Sequence, residues 1–138
     1  MLHGYETFEH TADIGIRAWG DKLSQVFEEA AKALFSVIVD LKTVSTRQKL
    51  KIELAQDSDE ELFLTWLKEL LFIFDTKHLF LAEFKVQLGS EKLIAEVGGE
   101  PLNNSKHALG REVKAITRHQ FKLVYDKSRY LAEVILDI

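Results

Sequence analysis

The chain has 138 residues, of which 46% are hydrophobic and 29% are charged, a balance that is typical of one globular domain. It contains no cysteine, which excludes disulfides, thiolate metal sites and a cysteine nucleophile. The net charge of −4 disfavours sequence-independent binding to nucleic acid, because such binding depends on neutralising phosphates. Neither a secretory signal nor an apolar stretch long enough for a bilayer is visible, so we expect a cytoplasmic protein with no membrane anchor.

The first third of the chain predicts two strands, a helix and a third strand. Residues 5–10 and 14–19 alternate apolar and polar side chains, as half-buried strands do. A helical pattern starts at Asp21 and continues for roughly five turns with one apolar side. Residues 43–56 alternate again and predict the third strand.

The middle of the chain predicts a second helix followed by a hairpin. Ser58 and Glu61 have the spacing of a capping box, which predicts that a helix covers residues 59–76. This helix is apolar almost all round, so we expect it to be central or covered by a second surface. Residues 79–88 and 92–98 read as strands joined by a Gly-containing turn.

The last third begins with the main loop and ends in strands. Residues 100–112 contain the only proline and both asparagines, so we expect a loop that is mobile or faces a partner. Residues 113–119, 121–126 and 129–138 then read as strands. The order of elements predicts an α+β fold, in which two main helices pack on one face of a largely antiparallel sheet, with residues 1–138 as a single domain.

No common catalytic motif is present. The chain lacks the nucleophile elbow of hydrolases, both glycine-rich phosphate loops and a paired-histidine zinc motif. A lone histidine is more often a structural residue than a ligand. His10 is the best of the five candidates, because it lies in the short link that also contains Asp13.

Carboxylates are the remaining candidates for a site. Asp13 lies between the first two strands, and its simplest interpretation is a turn that caps the second. Asp137 precedes Ile138, whose α-carboxylate ends the sequence, and its simplest interpretation is a solvated strand tip. The apolar sequence around Asp137 favours a tail that is pinned in the sheet. If both ends meet, three carboxylates would repel one another, so the cluster would need either a cation or raised pKa values. Oxygen ligands of this kind suit hard cations such as Ca²⁺, Mg²⁺ or Mn²⁺.

Two basic residues of the predicted strand 113–119 share a face. Lys114 and Arg118 alternate with apolar neighbours, so their side chains would lie on the same side of the strand. A solvated outer face explains them more simply than a contact with phosphate or a partner.

Four segments together resemble the archease family: HTADIGIRAWG, WLKELLFIFDT, VKAITRH and the terminal VILDI. The resemblance covers the chain from about residue 5 to residue 138, in the expected order. Family members often have Asp where this chain has Glu9, which preserves the acidic character.

The resemblance implies an accessory protein, not an enzyme, that activates an RtcB-type RNA ligase by promoting its guanylylation and turnover in tRNA splicing or RNA repair. It implies a metal site formed by Asp13, Asp137 and the α-carboxylate of Ile138, with Ca²⁺, Mn²⁺ or Mg²⁺ as the cofactor. His10, Lys114 and His119 fall in the matching motifs and are candidate contacts to the ligase. Any contact with RNA is expected to be indirect, through the ligase.

Two other functions remain open at this point. A chaperone-like modulator of RNA-processing enzymes, without a functional metal, would use the second helix and residues 100–111 as its apolar surface. A metal-dependent hydrolase would need a general base and a substrate pocket, and the sequence gives no clear signal for either. The sequence carries no signal for an oligomeric state.

Overall fold

The computed structural model describes residues 2–10 and 12–138. Within these residues the strands and helices, in chain order, are β1 (Gly4–His10), β2 (Asp13–Gly20), α1 (Leu23–Ile38), β3 (Gln48–Ala55), α2 (Asp59–Lys77), β4 (Leu79–Gly89), β5 (Lys92–Pro101), β6 (Ala115–Ile116), β7 (Lys122–Asp126) and β8 (Arg129–Asp137). A short 3-10 helix, Leu41–Thr43, follows α1. The predicted α+β class and antiparallel pairing are confirmed.

The strands form two antiparallel sheets, whereas the sequence predicted one. The larger sheet has five strands in the order β1–β2–β8–β6, and β7 also pairs with β8. β6 and β7 pair with opposite ends of β8 and so share it. The smaller sheet has three strands in the order β3–β5–β4. Periodicity identifies strands but does not identify their partners, so the division into two sheets was not predictable.

The helices meet in a core that both sheets share. α1 buries Phe27 and Leu34 completely. α2 buries Trp66, whose indole N–H donates a 2.9 Å hydrogen bond to the carbonyl oxygen of Phe27. α2 also contacts strands of both sheets, β3, β4, β5 and β6. This central position explains why its sequence is apolar almost all round. That residues 1–138 form one domain stays a prediction.

Ser58 starts α2 as predicted, but the capping box is only half formed. The Ser58 hydroxyl oxygen accepts a hydrogen bond of 3.2 Å from the backbone N–H of Glu61. The Glu61 carboxylate turns away from the cap and binds the guanidinium of Arg118. A tertiary ion pair thus takes the place of the expected local bond.

The segment between β5 and β6 is a loop, as predicted, and a buried carboxylate anchors it. Glu100 is 3% exposed and lies 2.7 Å from the Lys106 ammonium. Its Oε2 also accepts hydrogen bonds of 2.8 Å from the Ser45 N–H and from Nε2 of His107. The bonds from Lys106, Ser45 and His107, in that order, lower the pKa of Glu100 to about 2.

The predicted strand 113–119 is mostly irregular. Only Ala115 and Ile116 pair as a strand, with Asp137 and Leu136 of β8. Further along the same edge, β7 pairs with residues 129–133 of β8, which limits the length over which β6 can pair. No helix in the described part of the chain is long and apolar enough to span a membrane.

Candidate metal centre

The two candidate aspartates lie at the same end of the larger sheet. The register between β2 and β8 runs up to Ile14 opposite Leu136. The next residue outward is Asp13 on β2 and Asp137 on β8. The pairing of β2 with β8 ends at Ile14 and Leu136, so Asp13 and Asp137 lie just beyond its last pair, at the same end of the sheet.

Two further strands extend this pair into a row. β1 pairs His10 with Asp13, and β6 pairs Ala115 with Asp137. We call these four residues, His10, Asp13, Asp137 and Ala115, the acidic row. Since residues that are directly opposite each other point to the same side of a sheet, the side chains of the acidic row share one face.

The acidic row faces away from the core. Ile16 of β2 and Val134 of β8 are buried in the core, and each lies three positions from the aspartate of its own strand. Side chains alternate along a strand, so Asp13 and Asp137 point to the opposite, outer face. Asp13 is half-buried and Asp137 is exposed.

The next row of this outer face is apolar and separates the acidic row from an ion cluster. The ring of Phe8 lies over Gly15, where an added Cβ would come within 2.2 Å of the ring. The Arg17 guanidinium lies 4.5 Å from the centre of that ring and binds Glu133 at 2.5 Å and also Glu6. Its pKa is raised, chiefly by the hydrogen bond to Glu133. Arg17 is therefore already neutralised and is not a partner for the acidic row.

Two of the candidate ligase contacts are neighbours at this end of the sheet. Nε2 of His10 lies 3.0 Å from Oε1 of Gln120, and the ring of His119 meets the His10 ring edge-on at 5.7 Å. His119 and Gln120 belong to the segment 117–121. The start of this segment is held by Thr117, whose hydroxyl donates a 2.8 Å hydrogen bond to the carbonyl oxygen of Ile135.

The end of the chain is pinned beside the acidic row, as its apolar sequence predicted. The backbone N–H of Lys114 donates a 2.7 Å hydrogen bond to the carbonyl oxygen of Asp137. The side chain of Ile138 packs partly buried against the core. Lys114, the third candidate contact, is thus adjacent to the row. Lys114 and Arg118 both lie outside β6, so the strand face that the sequence predicted for them is not formed. Arg118 instead binds Glu61.

The donor groups of the acidic row are of the chemical kind that binds a cation, but they are not gathered around one position in the described residues. Among the salt bridges of the described residues, none involves Asp13 or Asp137. Nδ1 of His10 is shielded from solvent and has no hydrogen-bond partner among the described residues. In residues 2–10 and 12–138, no three His, Asp or Glu side chains are already gathered as a metal cluster. The donors would therefore have to move together around an ion, with the α-carboxylate next to Asp137 as a further oxygen ligand.

Comparison with known proteins decides the family. The model of the Archease protein family matches residues 5–138. The chain belongs to the archease family. Protein archease of Pyrococcus furiosus is 38% identical over 142 residues, which cover 99% of this chain and 100% of the relative. Protein archease of Pyrococcus abyssi is 40% identical over 139 residues, which cover 97% of this chain and 98% of the relative.

Two solved structures share the archease fold. The solution structure of protein 1598 from Methanobacterium thermoautotrophicum has a TM-score of 0.86 at 35% identity, covering 98% of this chain and 99% of that one. The crystal structure of an archease from Thermotoga maritima, described as a possible chaperone, has a TM-score of 0.71 and covers 96% of each chain. At 19% identity, the latter similarity shows the fold alone.

Sequence reasoning missed two supports of this site. Gly15 interrupts an apolar strand pattern, and an isolated glycine in a strand is a signal of close approach, here by the ring of Phe8. Gln120 carried no such signal, because its contact with His10 joins residues far apart in the sequence.

Proposed function

We propose that this archease-family chain is a divalent-metal-binding accessory protein that activates an RtcB-type RNA ligase. The observation that carries the proposal is that Asp13 and Asp137 lie just beyond the last β2–β8 pair, at the same end of the sheet. No salt bridge of the described residues involves either aspartate. The ligase as partner follows from the resemblance to the family.

Electrostatics supports a cation at the acidic row. Like charges at the same end of a sheet repel each other, and a cation between Asp13 and Asp137 would remove that repulsion. Together with the α-carboxylate of Ile138 they are oxygen donors, which suit Ca²⁺, Mg²⁺ and Mn²⁺ with water completing the shell.

The position of the row supports contact with the ligase. The row lies on the outer face of the sheet, so a partner can reach it without displacing a helix. His10 belongs to the row, His119 and Lys114 lie beside it, and all three would contact the ligase surface. A cation bound there supplies positive charge for phosphate oxygens. The net charge of −4 favours RNA contact through the ligase over direct contact.

Single substitutions test the metal site and its role together. Asp13→Asn and Asp137→Asn keep the side-chain size and remove one charge each. We expect both variants to keep their thermal unfolding profile, to lose about tenfold or more in metal affinity and to lose stimulation of ligase guanylylation. Asp126→Asn is the matched control, an exposed aspartate on β7 of the same sheet. Full stimulation by both row variants would refute the metal-centred proposal.

A second candidate function is a chaperone-like modulator that needs no metal. Phe72 of α2 is 60% exposed and Leu109 of the loop after β5 is 57% exposed, in the two segments that this hypothesis assigns to protein binding. Phe72→Ser and Leu109→Ser would abolish stimulation under this hypothesis, while Asp13→Asn would not. The opposite pattern favours the metal-dependent function.

A further inference from the structure

The smaller sheet has one edge with no strand beside it. β3 pairs with β5 along its whole length, and among the described strands no other pairs with β3. The opposite edge, on β4, is partly covered, because the Val86 N–H donates a 2.8 Å hydrogen bond to the Glu28 carboxylate of α1. The outer edge of β3 therefore presents backbone N–H and C=O groups that another strand can bind.

The hydrogen-bond pattern shows which residues of β3 face this open edge. The N–H of Gln56, the residue after β3, donates a 3.1 Å hydrogen bond to the carbonyl oxygen of Glu91, in line with the β3–β5 register. Residues of an antiparallel strand bond alternately to one side and to the other, so the even-numbered residues of β3 bond to β5. The backbone groups of the odd-numbered residues point to the open edge: Lys49, Lys51, Glu53 and Ala55.

An apolar groove runs along the open edge. It has a volume of about 390 Å³ and lies between β3 and the C-terminal half of α2. Phe72 of α2, which is 60% exposed, lines one side of this groove. Leu50, Ile52 and Leu54 of β3 line the other side. A strand added to β3 would lie against this surface and remove it from water.

The side chains of the edge are complementary to a second copy of themselves. Lys51 and Glu53 are exposed and flank Ile52. When two β3 strands run antiparallel and are centred on Ile52, Lys51 of each copy lies directly opposite Glu53 of the other. The same register makes these two residues a hydrogen-bonded pair, as their outward backbone groups require. Opposite charges in directly opposed positions stabilise an antiparallel pair.

Neighbouring registers are less favourable. A slide of two residues sets either Lys51 opposite Lys51 or Glu53 opposite Glu53, and like charges in such positions are destabilising. A slide of one residue turns the apolar face of one strand to the side of the charged face of the other. The centred register also sets Leu50 opposite Leu54, so that apolar side chains meet on the α2 side. Charge, hydrogen bonding and burial therefore favour the same arrangement.

We propose that β3 is a self-association surface, which pairs with β3 of a second copy about a two-fold axis at Ile52. The pairing joins the two smaller sheets into one continuous sheet, and each copy uses the same patch, as in closed symmetric dimers. The ion pair between Lys51 and Glu53 within each strand, 3.0 Å long, is exchanged for the equivalent pair between strands. The proposal does not depend on the metal site, which lies on the larger sheet.

Charge reversals test this register by analytical ultracentrifugation, over protein concentrations up to about 1 mM. We expect the parent to form dimers. Lys51→Glu and Glu53→Lys each set like charges opposite each other, and each should weaken self-association about tenfold or more. An equimolar mixture of the two variants should form a heterodimer, because every opposed pair is again of opposite sign. The double variant Lys51→Glu/Glu53→Lys should dimerise alone for the same reason.

Lys85→Glu is the matched control. Lys85 is exposed on β4, in the same sheet but away from the open edge, and its reversal changes the net charge as Lys51→Glu does. This variant should dimerise as the parent does. Circular dichroism verifies that each variant is folded.

Amide hydrogen exchange locates the interface. The N–H groups of Lys51 and Glu53 point to the open edge, so they should exchange rapidly in dilute protein and slowly in concentrated protein. The N–H of Ile52 bonds to β5 and should be protected at both concentrations.

Three results would contradict the proposal. A parent that stays monomeric over the whole concentration range overturns it and assigns Lys51 the role of blocking strand addition. A dimer that survives both single reversals, or a mixture of the two variants that does not associate, overturns the register. Exchange of Lys51 and Glu53 that is independent of concentration places the contact elsewhere and overturns the role of β3.

Discussion

Arg118 binds Glu61 through two parallel hydrogen bonds, from Nη1 to Oε2 at 2.7 Å and from Nη2 to Oε1 at 2.5 Å. Phe121 of the same segment stacks on Phe63 of α2 at 5.9 Å. These two contacts attach the segment that contains Gln120 to α2. The surroundings of the acidic row therefore depend on a helix that lies beneath the sheet as well as on the strands.

The Arg118–Glu61 pair should give a pH-dependent contribution to stability. The hydrogen bond from Arg118 is the main cause that lowers the pKa of Glu61. The contribution is present above the ordinary pKa of glutamate and is lost as the pH falls through the lowered value. Arg118→Ala should be less stable than the parent at neutral pH, and the difference should shrink in acid. Urea unfolding over a pH series measures this difference in the free energy of unfolding. Arg118→Lys is the variant that keeps the charge but loses the two parallel hydrogen bonds. A difference that persists in strong acid would assign another origin to the effect.

Glu100 should dominate acid sensitivity around the loop after β5. Its pKa is lowered from 4.5 to about 2, so its stabilising contribution is complete above 4.5 and is lost as the pH falls towards about 2. Glu100→Gln should reduce stability at neutral pH and flatten the pH dependence within that interval. Unfolding midpoints between these pH values test this. Glu96→Gln, at an exposed position of the same strand, is the control that removes a carboxylate from outside the Glu100 cluster.

A methyl group at Gly15 should disturb the apolar row beside the aspartates. The added Cβ would lie 2.2 Å from the Phe8 ring, so Gly15→Ala must displace that ring and its stacking with Arg17. We expect a loss of about 1–3 kcal/mol, as for overpacked sites, measured by urea unfolding. Gly89→Ala is the control, because nothing lies within 4 Å of its added Cβ. Equal stability of the two variants would show that Phe8 gives way without cost.

An extension beyond Ile138 tests the third proposed oxygen ligand. A Gly-Ser addition converts the α-carboxylate into a peptide bond and removes its charge from the side of Asp137. We expect weaker binding of Mn²⁺ and Ca²⁺, measured by calorimetric titration, with an unchanged unfolding midpoint. Addition of the same residues before Met1 is the control. An unaltered affinity after the C-terminal addition would eliminate Ile138 from the ligand set.

Local patterns predicted most elements, and they failed where distant residues competed. The Ser58 cap formed as its sequence indicated. Glu61 left its predicted local bond because Arg118 offered a charge-assisted pair. The strand expected over residues 113–119 is only two residues long, and it shares its edge of β8 with β7, which pairs with residues 129–133. No single segment contains the information about such competition.

The sequence by itself determined the kind and order of the elements, because strand and helix periodicities are local properties of the chain. Its motifs also singled out Asp13 and Asp137, at opposite ends of the chain, as candidates. Only the tertiary structure decided that β2 and β8 are neighbours in a register that brings these two residues to the same end of one sheet. It alone set Gln120 against His10. Pairing and register result from the burial of the whole core, so they depend on all the elements together.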